Sequence, residues 1–175
     1  MTERASDLLS ELADRLSADS RDSGQVVAES LRALEPDLLR MQQDGTSIDE
    51  LVRTSVGFLE VLFRSLRADS RVPWQQYYRT ARETSRRFAE KGIPIDSVLE
   101  GVDVFRRSVI ARVTEEMAGN EHADEVLVLA QSRLGDVVEH LNSSFIRGYL
   151  DFTETRYHAR QSELYALYHL SLIHI

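Results

Sequence analysis

The sequence contains no cysteine, and this absence removes several kinds of chemistry at once. Disulfide bonds, thiolate metal sites and cysteine nucleophiles are all excluded. Only three of the 175 residues are proline and eight are glycine, so few residues interrupt helices. Hydrophobic residues make up 42% of the chain and charged residues 29%, a balance typical of one globular domain with a real core.

Positive charge is also scarce. The formal net charge is −8, and Lys91 is the only lysine, so nearly every cation is an arginine. Because an acidic chain repels phosphate backbones, we expect no binding of nucleic acid by this chain. The N terminus opens on an amphipathic pattern and no long apolar run follows, so we expect a cytoplasmic protein without a membrane partner.

Apolar residues recur at helical spacing along the whole chain, and no segment is a convincing strand. This pattern predicts an all-α bundle of five to six helices with a long C-terminal helix. Pro36 is expected to kink or split the second helix, and Asp96 to cap the fifth. The predicted helices cover residues 5–18, 25–43, 48–67, 74–91, 96–117 and 121–168.

The last predicted helix organises the rest of the chain. At about 1.5 Å per residue, residues 121–168 would span roughly 70 Å. A compact domain of this size is only ~30–40 Å across, so the far end should project from the body. Ser144 and Gly148 would let another helix approach closely. Apolar residues in steps of three and four predict a packing seam, within the monomer or across a homodimer: Leu134, Val137, Leu141 and Phe145, continued by Tyr149 and Phe152.

No arrangement of residues points to catalysis, a metal or a cofactor. No two of the five histidines share a helix face with a carboxylate at metal-ligand spacing. The sequence has neither a nucleophile elbow nor a phosphate-binding glycine loop. His140 lies beside the apolar seam, where it is either a haem or metal ligand or, more commonly, an ordinary helix histidine. An enzyme of a helical-bundle class therefore ranks last.

One group of aromatic residues and arginines is a candidate for binding. Trp74, Tyr77 and Tyr78 precede Arg82 on the fourth predicted helix. Together they could line a pocket for a small ligand or a groove for a partner. Alternatively, the aromatic rings belong to the core and the arginine faces solvent, which is the commoner arrangement.

Several segments of the chain resemble a known family. They are residues 78–83 and 88–95, Leu99, the pair Arg106 and Arg107, and residues 148–150. These segments resemble the RsbRD-type N-terminal domain, the non-haem globin-like sensor domain of stressosome RsbR proteins. The resemblance covers roughly residues 5–155, and we assign residues 1–155 to this domain. It implies a globin-like helical bundle that binds no haem and forms a homodimer.

The resemblance also implies a function. Similar domains precede PucR-like transcription regulators and some sensor kinases of actinobacteria, so this chain would be a signal-input and dimerisation domain whose last helix relays a signal. The alternative is a haem-binding globin-type oxygen sensor. Residues 156–169 look like a linker helix leading to a GAF-like module. Residues 170–175 resemble the translated end of a sequencing adapter, so we expect a longer natural protein with its output module, such as a kinase or phosphatase, beyond this chain.

Overall fold

The computed structural model describes residues 3–19, 23–29, 48–68 and 74–173, without the side chains of 48–51, 54 and 165–173. Within these residues the chain forms six helices and no strand, which confirms the predicted all-α class with a long C-terminal helix. Most of the second predicted helix, with its expected break at Pro36, lies outside the described residues. The helices are α1 Glu3–Ala18, α2 residues 23–29, α3 Ile48–Ser65, α4 Trp74–Glu90, α5 Ile95–Glu116 and α6 Ala123–Ile173.

Two glycines end helices by adopting backbone angles that other residues rarely reach. Gly92 has a φ of 73° after α4, and Gly119 has a φ of 79° after α5. The expected cap at Asp96 was wrong. The cap position of α5 is Pro94, and Asp96 lies inside the first turn, where a carboxylate still favours the positive end of the helix dipole.

The hydrophobic core is built around α6, which packs against α1, α3, α4 and α5. Its most extensive packing is with α4, followed by α5. Phe58 of α3 and Phe105 of α5 meet edge to face, with ring centroids 4.8 Å apart. Burying large apolar side chains is the main stabilising term in such a bundle. The largest fully buried side chains include Leu9 and Leu12 of α1, Leu59, Leu62, Phe63 and Leu66, Val109 and Val113 of α5, and Val126, Leu134 and Leu141 of α6.

Arg133 ties α6 to two other helices. Its guanidinium donates to the carbonyl oxygen of Leu66, just after the end of α3, and to the Ser6 hydroxyl of α1 at 2.9 Å. The last carbonyls of a helix lack partners within the helix, so a cation placed there satisfies one of them. The contact is partly enclosed, and burial lowers the pKa of Arg133 from its usual value. This arginine therefore fixes the long helix against α1 and α3.

The long helix extends beyond the core, as predicted. At about 1.5 Å per residue, Ala123–Ile173 spans roughly 76 Å. Every side chain from 153 to 164 is exposed. The helix continues to Ile173, past the end predicted near Tyr168, so its backbone includes part of the segment 170–175. Among the described residues, none of the helices combines the length and the apolar character needed to cross a bilayer.

Candidate functional site

The closest contact between α4 and α6 depends on small residues. A Cβ atom added to Gly148 would lie 2.8 Å from the Cα atom of Arg82, so no larger residue fits there without a shift. Ser85 is fully buried, and its hydroxyl donates to the carbonyl oxygen of Phe145 at 2.6 Å. Ser144 is also buried. The predicted close approach of another helix is confirmed at Gly148, where the neighbour is α4 of the same chain. Ser144 lies one turn earlier, and its hydroxyl donates to the carbonyl oxygen of His140 in its own helix.

An open groove lies beside this contact, with one wall from α4 and the other from α6. Its volume is about 840 Å³, within the range of ~300–1,000 Å³ that is typical of ligand pockets. The wall from α4 consists of Gln75, Tyr78, Arg79, Arg82, Glu83 and Arg86. The wall from α6 consists of His140, Ser143, Ser144, Arg147, Gly148, Asp151, Phe152 and Thr155. The groove therefore occupies the stretch of α6 just before the helix leaves the body.

Four arginines and two carboxylates line the groove. Arg82 and Asp151 form an ion pair across it, with a nitrogen–oxygen distance of 2.5 Å. Arg86 pairs within its own helix with Glu90, at 3.3 Å. The guanidinium groups of Arg79 and Arg147 make no ion pair or hydrogen bond with any residue that the structure describes. As far as the described parts of the chain go, two guanidinium groups in the groove thus keep their donors available.

Three planar side chains stack at one part of the groove. The Trp74 and Tyr78 ring centroids are 6.0 Å apart at an interplanar angle of 17°, and those of Tyr78 and His140 are 5.7 Å apart at 19°. His140 Nδ1 lies 2.7 Å from the carbonyl oxygen of Asp136, which can only accept, so Nδ1 carries a proton and Nε2 is left for other partners. Burial raises the pKa of Tyr78 above its ordinary value, which keeps its hydroxyl protonated.

Of the four residues predicted to line a pocket, two line the groove and two lie outside its lining. Tyr78 and Arg82 line the groove, and Trp74 supports it by stacking on Tyr78. Tyr77 is not part of the lining and contacts Trp74, at a centroid distance of 6.4 Å. Trp74 and Tyr78 also pack on the edge of the core, as the second alternative expects. Binding of a ligand or a partner by these residues stays a prediction.

The contribution of α6 to the groove was missed at the sequence level. His140, Ser144, Arg147 and Asp151 follow one another at steps of four, three and four residues, which places them on one face of the helix. Arg79, Arg82 and Arg86 show the same spacing on α4. Each face alone resembles an ordinary solvated surface. Only the packing of α4 on α6 brings the two sets together.

The predicted packing seam lies along the buried side of α6. Leu134, Val137, Leu141 and Phe145 are buried in the core of the single chain. Tyr149 and Phe152, the last two residues of the seam, are half-buried, and Phe152 also lines the groove. Contact of this seam with a second chain stays a prediction, and the four core residues are already covered within one chain.

Within the described residues, no three histidine, aspartate or glutamate side chains are grouped so that they could hold a metal ion. Comparisons with curated proteins and with solved structures found no significant match to the chain. A family profile does match residues 7–164, and its description is the N-terminal domain of the RsbT co-antagonist protein rsbRD. This match runs past residue 155 into the segment expected to be a linker. Because it spans most of the 175 residues, the chain belongs to the family of rsbRD N-terminal domains, a family of signalling input domains.

Proposed function

We propose that the chain is the signal-input and dimerisation domain of a cytoplasmic bacterial regulator. In this proposal a signal reaches the groove between α4 and α6, and α6 relays it to a downstream module. The observation that carries the proposal is that one continuous helix, Ala123–Ile173, forms the centre of the core, one wall of the groove and the exposed extension. A change in the groove therefore acts directly on the segment that leaves the body.

A second copy of the chain is the proposed partner of the extension. Ile146, Leu150, Tyr157 and Leu164 form a line of large exposed apolar side chains on α6, which we call the projecting stripe. The last three are seven residues apart and Ile146 precedes Leu150 by four, so the stripe occupies one of the two seam positions of a heptad repeat. The other position holds Ile146 and then the polar residues Thr153 and Arg160. A seven-residue repeat on one helix pairs in register with the same repeat on a parallel copy. Such pairing would place two downstream modules side by side.

The downstream module belongs to the proposal as well. By the resemblance described above, it is a GAF-like domain, with a PucR-like transcription regulator or a sensor kinase as the output. The relay would be a small rotation or shift of the paired helices. The proposal assigns no catalytic activity to residues 1–155, and no contact with nucleic acid or membrane.

Sedimentation of the purified chain tests the dimer. The double variant Leu150→Asp, Tyr157→Asp adds two charges to the projecting stripe without touching the core, so we expect monomers. Val128→Asp is the matched control, because Val128 is also an exposed apolar residue of α6 and lies near the other end. It should remain dimeric. Leu141→Asp is unsuitable here, since Leu141 is only 2% exposed within one chain and a buried charge there would unfold the bundle.

A monomeric parent chain at concentrations well above micromolar would contradict the proposed dimer, as would a dimer that the double variant leaves intact. Circular dichroism of each variant separates loss of the dimer from loss of the fold.

A further inference from the structure

The charge of the groove is opposite to that of the whole chain. The net charge of the protein is −8, yet the groove has four arginines against the carboxylates of Glu83 and Asp151. An excess of positive charge in a concave site raises the local concentration of anions. In an acidic protein such a local excess selects anionic ligands over neutral or cationic ones.

One arginine of the groove already binds a carboxylate of the protein itself, through the same ion pair that an anionic ligand would form. Arg82 binds the Asp151 side chain at 2.5 Å, and this contact joins the two walls. Arg79 and Arg147 have no such partner among the described residues, and they stand on opposite walls. Guanidinium groups bind carboxylate and phosphate oxygens through paired donors, which favours these two groups as ligand contacts.

The rest of the lining suits a small organic molecule better than a bare ion. The groove volume of about 840 Å³ exceeds the space that one inorganic oxyanion needs. Tyr78 and His140 line it, and both belong to the ring stack, so a planar or apolar part of a ligand has a surface to contact. Ser143 on α6 has an exposed hydroxyl nearby.

We propose that the groove between α4 and α6 binds a small organic anion, carrying carboxylate or phosphate groups, between Arg79 on one wall and Arg147 on the other. The ligand anion competes with Asp151 for Arg82. Asp151 lies one turn after Gly148, at the point where α6 leaves the body, so its release loosens a contact that holds the start of the extension. Binding itself is independent of the proposed function, whereas the effect on the extension depends on it.

The chain has a single tryptophan, Trp74, which stacks on Tyr78 and so reports on the groove by its fluorescence. Citrate and pyrophosphate are the two probes, one for carboxylates and one for phosphates, each titrated against sodium chloride at matched ionic strength. We expect a saturable change in fluorescence with at least one probe and none with chloride. Isothermal titration calorimetry with the same probes provides a second readout.

Three variants test whether the site is the groove. Arg147→Gln removes one charge-assisted contact and should weaken probe binding by about tenfold. Arg156→Gln is the matched control, because it removes the same charge from the exposed part of α6 and should leave binding unchanged. Asp151→Asn removes the competing carboxylate, so it should tighten binding several-fold. Circular dichroism confirms that each variant is folded.

The proposal is overturned if neither probe binds to the folded parent chain, or if Arg147→Gln and Arg156→Gln weaken binding equally. Equal weakening by the two variants would mean that probe binding responds only to the net charge of the chain. Binding of polyglutamate without binding of citrate or pyrophosphate would also overturn it, because the ligand would then be an acidic protein segment. Probe binding is measured whether or not the chain is dimeric, so its failure is separate from failure of the proposed function.

Discussion

A carboxylate oxygen of Asp151 on α6 lies 2.5 Å from a guanidinium nitrogen of Arg82 on α4, and the two residues are 69 positions apart in the chain. Both side chains are more than a third exposed, so the ion pair adds little stability. Its position matters more than its energy. It joins the two walls of the groove one turn beyond the tight helix contact at Gly148, where the long helix begins to leave the body.

Replacing Gly148 with alanine should destabilise the fold, although alanine favours helices. The new Cβ would collide with the backbone of Arg82, so we expect a loss of about 1–3 kcal/mol in the free energy of unfolding. Gly135→Ala is the matched control on the same helix. Nothing lies within 4 Å of its added Cβ, so it should gain up to about 1 kcal/mol.

Urea denaturation of the two variants measures both changes. If Gly148→Ala is as stable as Gly135→Ala, α4 and α6 are not in backbone contact at this point, and the groove does not have the shape described.

Replacing Arg133 with methionine tests how the long helix is held against α1 and α3. The change keeps the apolar stem but leaves the Leu66 carbonyl and the Ser6 hydroxyl without their donor. Hydrogen bonds from charged donors contribute about 1.5–3 kcal/mol, and we expect a loss of about that size on thermal or urea unfolding. Arg156→Met, on the exposed part of α6, should change stability by less than about 0.5 kcal/mol. Equal effects of the two substitutions would show that Arg133 holds nothing in place.

Tyr78 should make stability depend on pH in the alkaline range. Burial raises its pKa above the ordinary 10.0, so the folded chain keeps the phenol proton that the unfolded chain releases. As pH rises above 10.0, the unfolded state is favoured by this release, and stability falls until the folded pKa is passed.

Tyr78→Phe should therefore lose less stability between neutral and alkaline pH than the parent chain does. Tyr157→Phe serves as the control because Tyr157 is 61% exposed, and the Tyr78 contribution should persist in that variant. Urea unfolding as a function of pH measures the difference. Identical alkaline profiles for the two variants would mean that the Tyr78 hydroxyl is not shielded from solvent in the folded chain.

Helical periodicity was enough to predict most of the helices. The stripe from Leu134 to Phe145 predicted the buried side of α6, and the predicted helix 74–91 ends within one residue of α4, because both depend on local geometry. The cap of α5 was misassigned because the backbone at Pro94 is extended and the helix begins at Ile95, one residue before Asp96.

The site was harder to predict, since it depends on how two helices meet. Tyr78 and Arg82 stood out as part of an aromatic and basic cluster on one helix. Arg147 and Asp151 did not, because on α6 alone they resemble solvated charges. Ser144 and Gly148 predicted that another helix approaches this helix closely, without identifying α4 as that neighbour.

Disulfide cross-linking gives the most direct test that two copies pair along the projecting stripe. Because this chain of 175 residues has no cysteine, Tyr157→Cys and Val128→Cys each introduce a single reporter thiol. Under mild oxidation we predict a disulfide-linked dimer for Tyr157→Cys, since equivalent residues of a parallel pair face each other, and little or none for Val128→Cys. If Tyr157→Cys stays monomeric, or if both variants cross-link to the same extent, the long helices do not pair there and the proposed relay is contradicted.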